Sequence, residues 1–109
     1  MRFLMTSRTT DTTPPPDDNL HVEMGKFIED LTAAGILLAT GGLEAGGVRV
    51  TLAGGEITLT DGPFTEAKEA IGGFALVEVR SKEEAIEIGR RFVMMVGDSS
   101  STIQEVFGP

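Results

Sequence analysis

The sequence contains no cysteine, no tryptophan and no tyrosine, and its only histidine is His21. Without cysteine there is no disulfide framework, no thiol nucleophile and no thiolate-bound zinc, and one histidine leaves too few nitrogen ligands for a metal site. Basic residues are also scarce: nine against seventeen acidic ones, for a net charge of −8. Phosphate contacts dominate nucleic-acid affinity, so neither DNA nor RNA is expected as a direct partner, and the same sign argues against an anionic membrane surface. No apolar run approaches the ~20 residues that span a bilayer. Residues 1–8 hold only three consecutive apolar positions, short of a secretory core. Together these absences point to a cytoplasmic protein.

What is present is ordinary globular composition, 40% hydrophobic and 24% charged, which argues against global disorder. A chain of 109 residues is expected to form one domain over residues 1–109, with one modest core.

Periodicity and punctuation divide the chain. Residues 2–6 read as a short strand, followed by a Ser/Thr/Pro-rich stretch over 6–16 whose three prolines delay any helix. That stretch reads as a connector or as a lid over a cleft. Asp17, Asp18 and Asn19 offer helix N-caps, and Leu20, Met24, Phe27, Ile28 and Leu31 recur on one helical face as far as Gly35. The apolar run over 36–40 predicts a strand buried on both faces. Residues 48–52 and 57–60 alternate cleanly around Gly54-Gly55, a hairpin signature. About one helical turn is expected over 65–69, then a strand over 74–80. Ser81 and Glu84 form a capping box for a second helix, whose inner stripe is Ala85, Ile88, Gly89, Phe92 and Val96. Gly89 inside that stripe suggests close backbone packing, and Met94-Met95 reads as core filler. After Gly97, residues 98–101 read as a polar loop and 102–107 as the last strand.

The order is β-α-β-β-β-β-α-β. Setting the 48–60 hairpin aside leaves βαββαβ, so the fold class is α+β, ferredoxin-like with an extra β-hairpin: two helices on one face of a largely antiparallel sheet. In the strand over 74–80, Ala75, Val77 and Val79 point one way while Phe74 and Leu76 point the other. Two layers cover only one sheet face. The other is expected to be covered by a second copy, giving a homodimer through the sheet face.

The most distinctive segment is Thr60-Asp61-Gly62-Pro63-Phe64-Thr65-Glu66-Ala67-Lys68-Glu69. It closely resembles the DGPF branch of the YCII-related proteins. Residues 31–38, Gly41-Gly42-Leu43, Val48-Arg49-Val50 and residues 71–76 fit the same pattern. The resemblance covers nearly the whole chain and implies the dimeric α/β-barrel form of the ferredoxin-like fold. It implies no particular reaction, since related dimeric barrels include isomerases, monooxygenases and plain binding modules. Where family members similar to this one carry Gln-Pro or His-Pro after Gly-x-Leu, this chain has Glu44-Ala45.

Asp61 is the leading site candidate. A turn aspartate ordinarily accepts from the N–H two residues on, but that residue is Pro63, which has none. Its carboxylate is left to the Phe64 or Thr65 N–H or to Lys68, as a cap, or else to a cleft, as a general acid/base or ligand-orienting group. The resemblance implies a histidine on the first helix paired with an aspartate. Counted back from Ala34-Gly35-Ile36, that family position falls near Met24, one turn after His21. His21 is therefore either an assisting catalytic residue or a surface residue. Arg49, Lys68 and Phe64 are candidate substrate-binding residues, with surface ion pairing the alternative for the two cations. The glycine pairs 41–42, 46–47, 54–55 and 72–73 lack phosphate-loop spacing and read as turns and bulges. Two functions fit: a cofactor-independent acid/base enzyme acting on a small organic molecule, with Asp61 as proton shuttle, or a non-catalytic small-molecule-binding or regulatory module.

Overall fold

The computed structural model describes residues 1–62 and 71–108. They form β1 (Arg2–Thr9), α1 (Asp18–Ala33), β2 (Leu37–Gly42), β3 (Val48–Ala53), β4 (Glu56–Asp61), β5 (Ile71–Glu78), α2 (Lys82–Val96) and β6 (Ser99–Val106). The helical turn expected over 65–69 lies outside the described residues, as do Phe64 and Lys68.

Both helices begin and end where local chemistry directs. The Asp17 carboxylate accepts from the Leu20 N–H at 2.8 Å and starts α1. At its far end Gly35 takes φ 74°, its N–H reaches the Thr32 carbonyl, and the Ile36 N–H reaches the Leu31 carbonyl, each at 3.0 Å. This pair of bonds satisfies carbonyls that the helix end would otherwise orphan. The Ser81 hydroxyl accepts from the Glu84 N–H at 3.1 Å, while the Glu84 carboxylate reaches back to the Arg80 N–H at 3.4 Å. Ser81→Ala should therefore cost about 1 kcal/mol, lowering the thermal midpoint by about 4 °C. A circular-dichroism melt indistinguishable from wild type would show that something else holds the start of α2.

Four strands form one antiparallel sheet in the order β2-β5-β1-β6, while β3 and β4 pair only with each other. With the hairpin set aside, the strands lie in the spatial order second, third, first, fourth, which is the ferredoxin-like arrangement. On one sheet face Phe3, Met5, Val77 and Val79 meet Phe27 and Leu31 of α1 and Ala85 and Ile88 of α2. Gly89 lets α2 lie close: a Cβ there would come within 2.8 Å of Ile103 Cδ1 and 3.3 Å of Met5 Cε. The Arg91 guanidinium sits 4.7 Å from the centre of the Phe27 ring and clasps the two helices. The opposite, helix-free face carries Leu4, Phe74 and Leu76, all half-buried. No helix among the described residues is long and apolar enough to cross a membrane.

Some expectations need correction. The apolar run over 36–40 is not buried on both faces, because β2 is an edge strand; Leu38 falls at a shift in register with β5 and is 48% exposed. Met94 points outward, while Met95 packs on the core. The serines at 99–101 are strand rather than loop, pairing with Ser7, Arg8 and Thr9 of a longer β1. The 10–17 connector is tethered at the end of α2: the Thr13 hydroxyl donates to the Asp98 carbonyl, and Pro14 packs against Gly97.

Candidate functional site

A cavity of about 370 Å³ lies between the helices and one end of the sheet. Its size falls in the usual range for small-molecule pockets. Met24, Phe27 and Ile28 of α1 and Phe92 of α2 form one side, and β1, β2 and β5 form the floor. The floor is open where Gly41, Gly42, Gly72 and Gly73 supply no side chains to fill it. Gly42 pairs with Gly73 across β2 and β5, and Gly73 in turn pairs with Ser7 of β1. A Cβ on Gly73 would come within 3.1 Å of the Gly41 carbonyl oxygen and 3.4 Å of Ser7 Oγ. Of the pairs read from sequence as turns and bulges, Gly41, Gly42 and Gly73 are paired strand residues, while Gly72 is the extra residue where the register of β1 and β5 shifts, a bulge as read; together they hollow out the sheet end.

Polarity is confined to one side of this apolar chamber. Ser7 and Ser101 are cross-strand partners, both half-buried and both lining the cavity. Neither hydroxyl has a hydrogen-bond partner among the described residues. Thr40 also lines it, but its hydroxyl is spent on the Phe74 carbonyl at 2.9 Å. Sequence reasoning missed both serines. The alternation Phe3, Met5, Ser7 would have placed Ser7 on the buried side of β1, but Ser101 had no signal beyond its position in a polar stretch.

Of the residues singled out in the sequence, Asp61, Arg49 and His21 do not line this chamber. Asp61 closes β4 and is exposed, opposite Val48 in the ladder. Cross-strand partners share a face, so Asp61 lies on the side of the hairpin that carries Val50 and Leu59. Among the described residues its carboxylate has no partner, and the partners expected at Phe64, Thr65 and Lys68 lie outside them. Arg49, paired with Thr60, occupies the other side of the hairpin. His21 is exposed in the first turn of α1, while Met24, one turn on, lines the cavity.

The hairpin is rooted at the cavity rim. The Leu43 N–H donates to the carbonyl of Gly72, a cavity residue, at 3.1 Å, and the Gly62 N–H donates to the Gly47 carbonyl at 2.7 Å. Only glycine fits at position 62, since a Cβ would fall 2.9 Å from Gly46 Cα. Gly62 and the Gly46-Gly47 pair, far apart in the reading of the sequence, are one backbone contact.

Three comparisons bear on this arrangement. The family model for the YCII-related domain matches residues 1–95. No curated protein matches. Among solved structures, 5-chloro-2-hydroxyhydroquinone dehydrochlorinase from Burkholderia phenoliruptrix AC1100, in complex with 2,5-dihydroxybenzoquinone, is similar with a TM-score of 0.50 and 18% identity. The match covers 100% of this chain and 96% of that one, and at this identity the likeness is one of fold.

Proposed function

The chain belongs to the YCII-related family, and on that premise we propose that it binds a small, predominantly apolar organic molecule above the glycine floor. The cavity itself carries this reading: an apolar chamber with two hydroxyls, Ser7 and Ser101, at one side that have no partner among the described residues. Apolar walls supply affinity, and a few fixed polar groups set orientation. The likeness in fold to an enzyme solved with a small quinone fits a ligand of this class.

The chemistry assigned to this site is proton transfer without a cofactor, with Asp61 as the acid/base. The support is its place at the end of β4, beside Gly62, whose N–H bonds Gly47 on the segment that leaves the cavity rim at Gly42 and Leu43. In the same reading the helix-free sheet face is where a second copy packs. A non-catalytic binding module is the competing reading, favoured by the absence of Asp61, His21 and Arg49 from the cavity lining.

A thermal-shift screen of small organic acids, phenols and quinones identifies the ligand, and NMR in deuterated water reads exchange at its carbon positions. Asp61→Asn should cut exchange about a hundredfold or more, in line with general acid–base catalysis, while binding stays within about twofold because no wall contact is lost. Ser7→Val should instead weaken binding about tenfold through one lost hydrogen bond. Exchange unaffected by Asp61→Asn, with binding intact, would leave the domain a binding module.

A further inference from the structure

The β3–β4 hairpin is an arm with a face of its own. The ladder pairs Val50 with Leu59 and Leu52 with Ile57, and Val48 extends the same side. These five aliphatic side chains are 61–71% exposed. Apart from the contacts at its root, the arm packs against no other element among the described residues. The molecule is correspondingly extended: its radius of gyration is 16.0 Å, against about 13 Å expected for a compact chain of this length.

Such an arm is not stable by itself. A lone two-stranded hairpin is marginal in water, and contiguous apolar surface of a few hundred Å² marks a binding surface. We propose that the apolar face of the β3–β4 arm seats on a second copy of this chain.

Two observations select that occupant, and a third permits it. Among the described residues two apolar surfaces face away from the core, this exposed arm and the helix-free sheet face with its half-buried Leu4, Phe74 and Leu76, and two copies related by a two-fold axis cover both at once. Neither surface suffices alone. The arm offers roughly half of the ~800 Å² per partner of a standard interface, and the sheet face supplies the rest. Charge permits it: two chains of net charge −8 repel, a repulsion that salt screens, and meeting through neutral surface adds no like-charge pair at the contact. Val48, Val50, Leu52, Ile57 and Leu59 carry no charge. Asp61 closes the same face at its root, so docking the arm would bring that carboxylate to the edge of a covered interface.

The test uses the full chain. Light scattering at micromolar concentration should give a mass twice the 11.5 kDa of the chain. The double variant Leu52→Glu/Ile57→Glu should raise the dimer dissociation constant about a hundredfold or more, as for two anchors of a desolvated patch, and should run as a monomer that keeps the helical signal in far-UV circular dichroism. Hydrogen exchange in the wild type should show amides of residues 48–61 protected and losing protection on dilution, because a free hairpin protects little. A monomeric wild type overturns the proposal and gives the face to another partner. A double variant that stays dimeric, or arm amides that exchange freely within a dimer, also overturns it by showing that the sheet face alone makes the contact. If the double variant does not fold, the wild-type dilution series decides alone.

Discussion

Replacing Phe3 by alanine should lower the thermal midpoint by roughly 12–20 °C, from a loss of about 3–5 kcal/mol at about 4 °C per kcal/mol for a domain of this size. Phe3 is 1% exposed on β1, one of the two inner strands of the sheet, and it pairs across the ladder with Val77 of the other, which is 0% exposed. Both helices press their buried residues onto the same cluster. Truncation therefore removes the transfer energy of the ring and leaves a void beneath two helices that an inner strand cannot move to fill. Since total stability of such domains is about 5–15 kcal/mol, this change takes a large share of it. Val22→Ala is the matched control: the side chain is 71% exposed on α1, and its loss should fall within about 0.5 kcal/mol. Calorimetry on both variants checks the pair. A Phe3→Ala midpoint within a few degrees of wild type would mean that the helices do not close over β1 as described.

The helices were legible in the sequence because their signals are local. Asp17, Gly35 and the Ser81–Glu84 pair act within four residues of themselves, and the stripe through Ala85, Ile88 and Gly89 needs only the helical period. The Gly54-Gly55 turn was legible for the same reason, and both residues adopt the positive φ, 58° and 82°, that such a tight hairpin requires. Strand ends were less legible. Ser7, Arg8, Thr9 and Ser99 to Ser101 have no apolar alternation, and they are strand because each supplies the other's hydrogen bonds across ninety or more residues of sequence. The βαββαβ order was readable, yet which strand lies at an edge was not, so Leu38 was expected to be buried.

Much the same division applies to the site. Asp61 was marked out by the proline that follows it, a purely local deduction. The cavity depends on two glycine pairs thirty-one residues apart lying side by side in β2 and β5, with a serine of β1 and another of β6 beyond them. No window of sequence contains that juxtaposition. The sequence-level reading of glycine as punctuation was correct for 54–55, where the chain turns, and for Gly72, where β5 bulges against β1, and failed for 41–42 and Gly73, where absent side chains make room in paired strands.

That room is open to direct test. Gly73→Val should weaken ligand binding about ten- to a hundredfold while leaving the thermal midpoint unchanged or slightly raised, since overpacking of an occupied site costs about 1–3 kcal/mol. The two halves of this expectation have separate causes. Gly73 is not among the residues of positive φ, so valine can adopt its backbone, and a β-branched residue inside a strand lowers the entropy of the unfolded chain. Its Cβ would meet the Gly41 carbonyl at 3.1 Å, an approach relieved by a shift of a few tenths of an ångström in edge strand β2. The γ-methyls would project between Ser7 and Gly42 into the chamber, beside the hydroxyls that orient the ligand. Calorimetric titration with the ligand from the thermal-shift screen reads the first half, and a melt of the free protein reads the second. If Gly73→Val binds as wild type does, the ligand lies elsewhere and the glycine floor is only architecture. If it unfolds, position 73 is closed to side chains by its backbone neighbours, and Gly73→Ala, which adds the Cβ alone, becomes the variant that separates binding from folding.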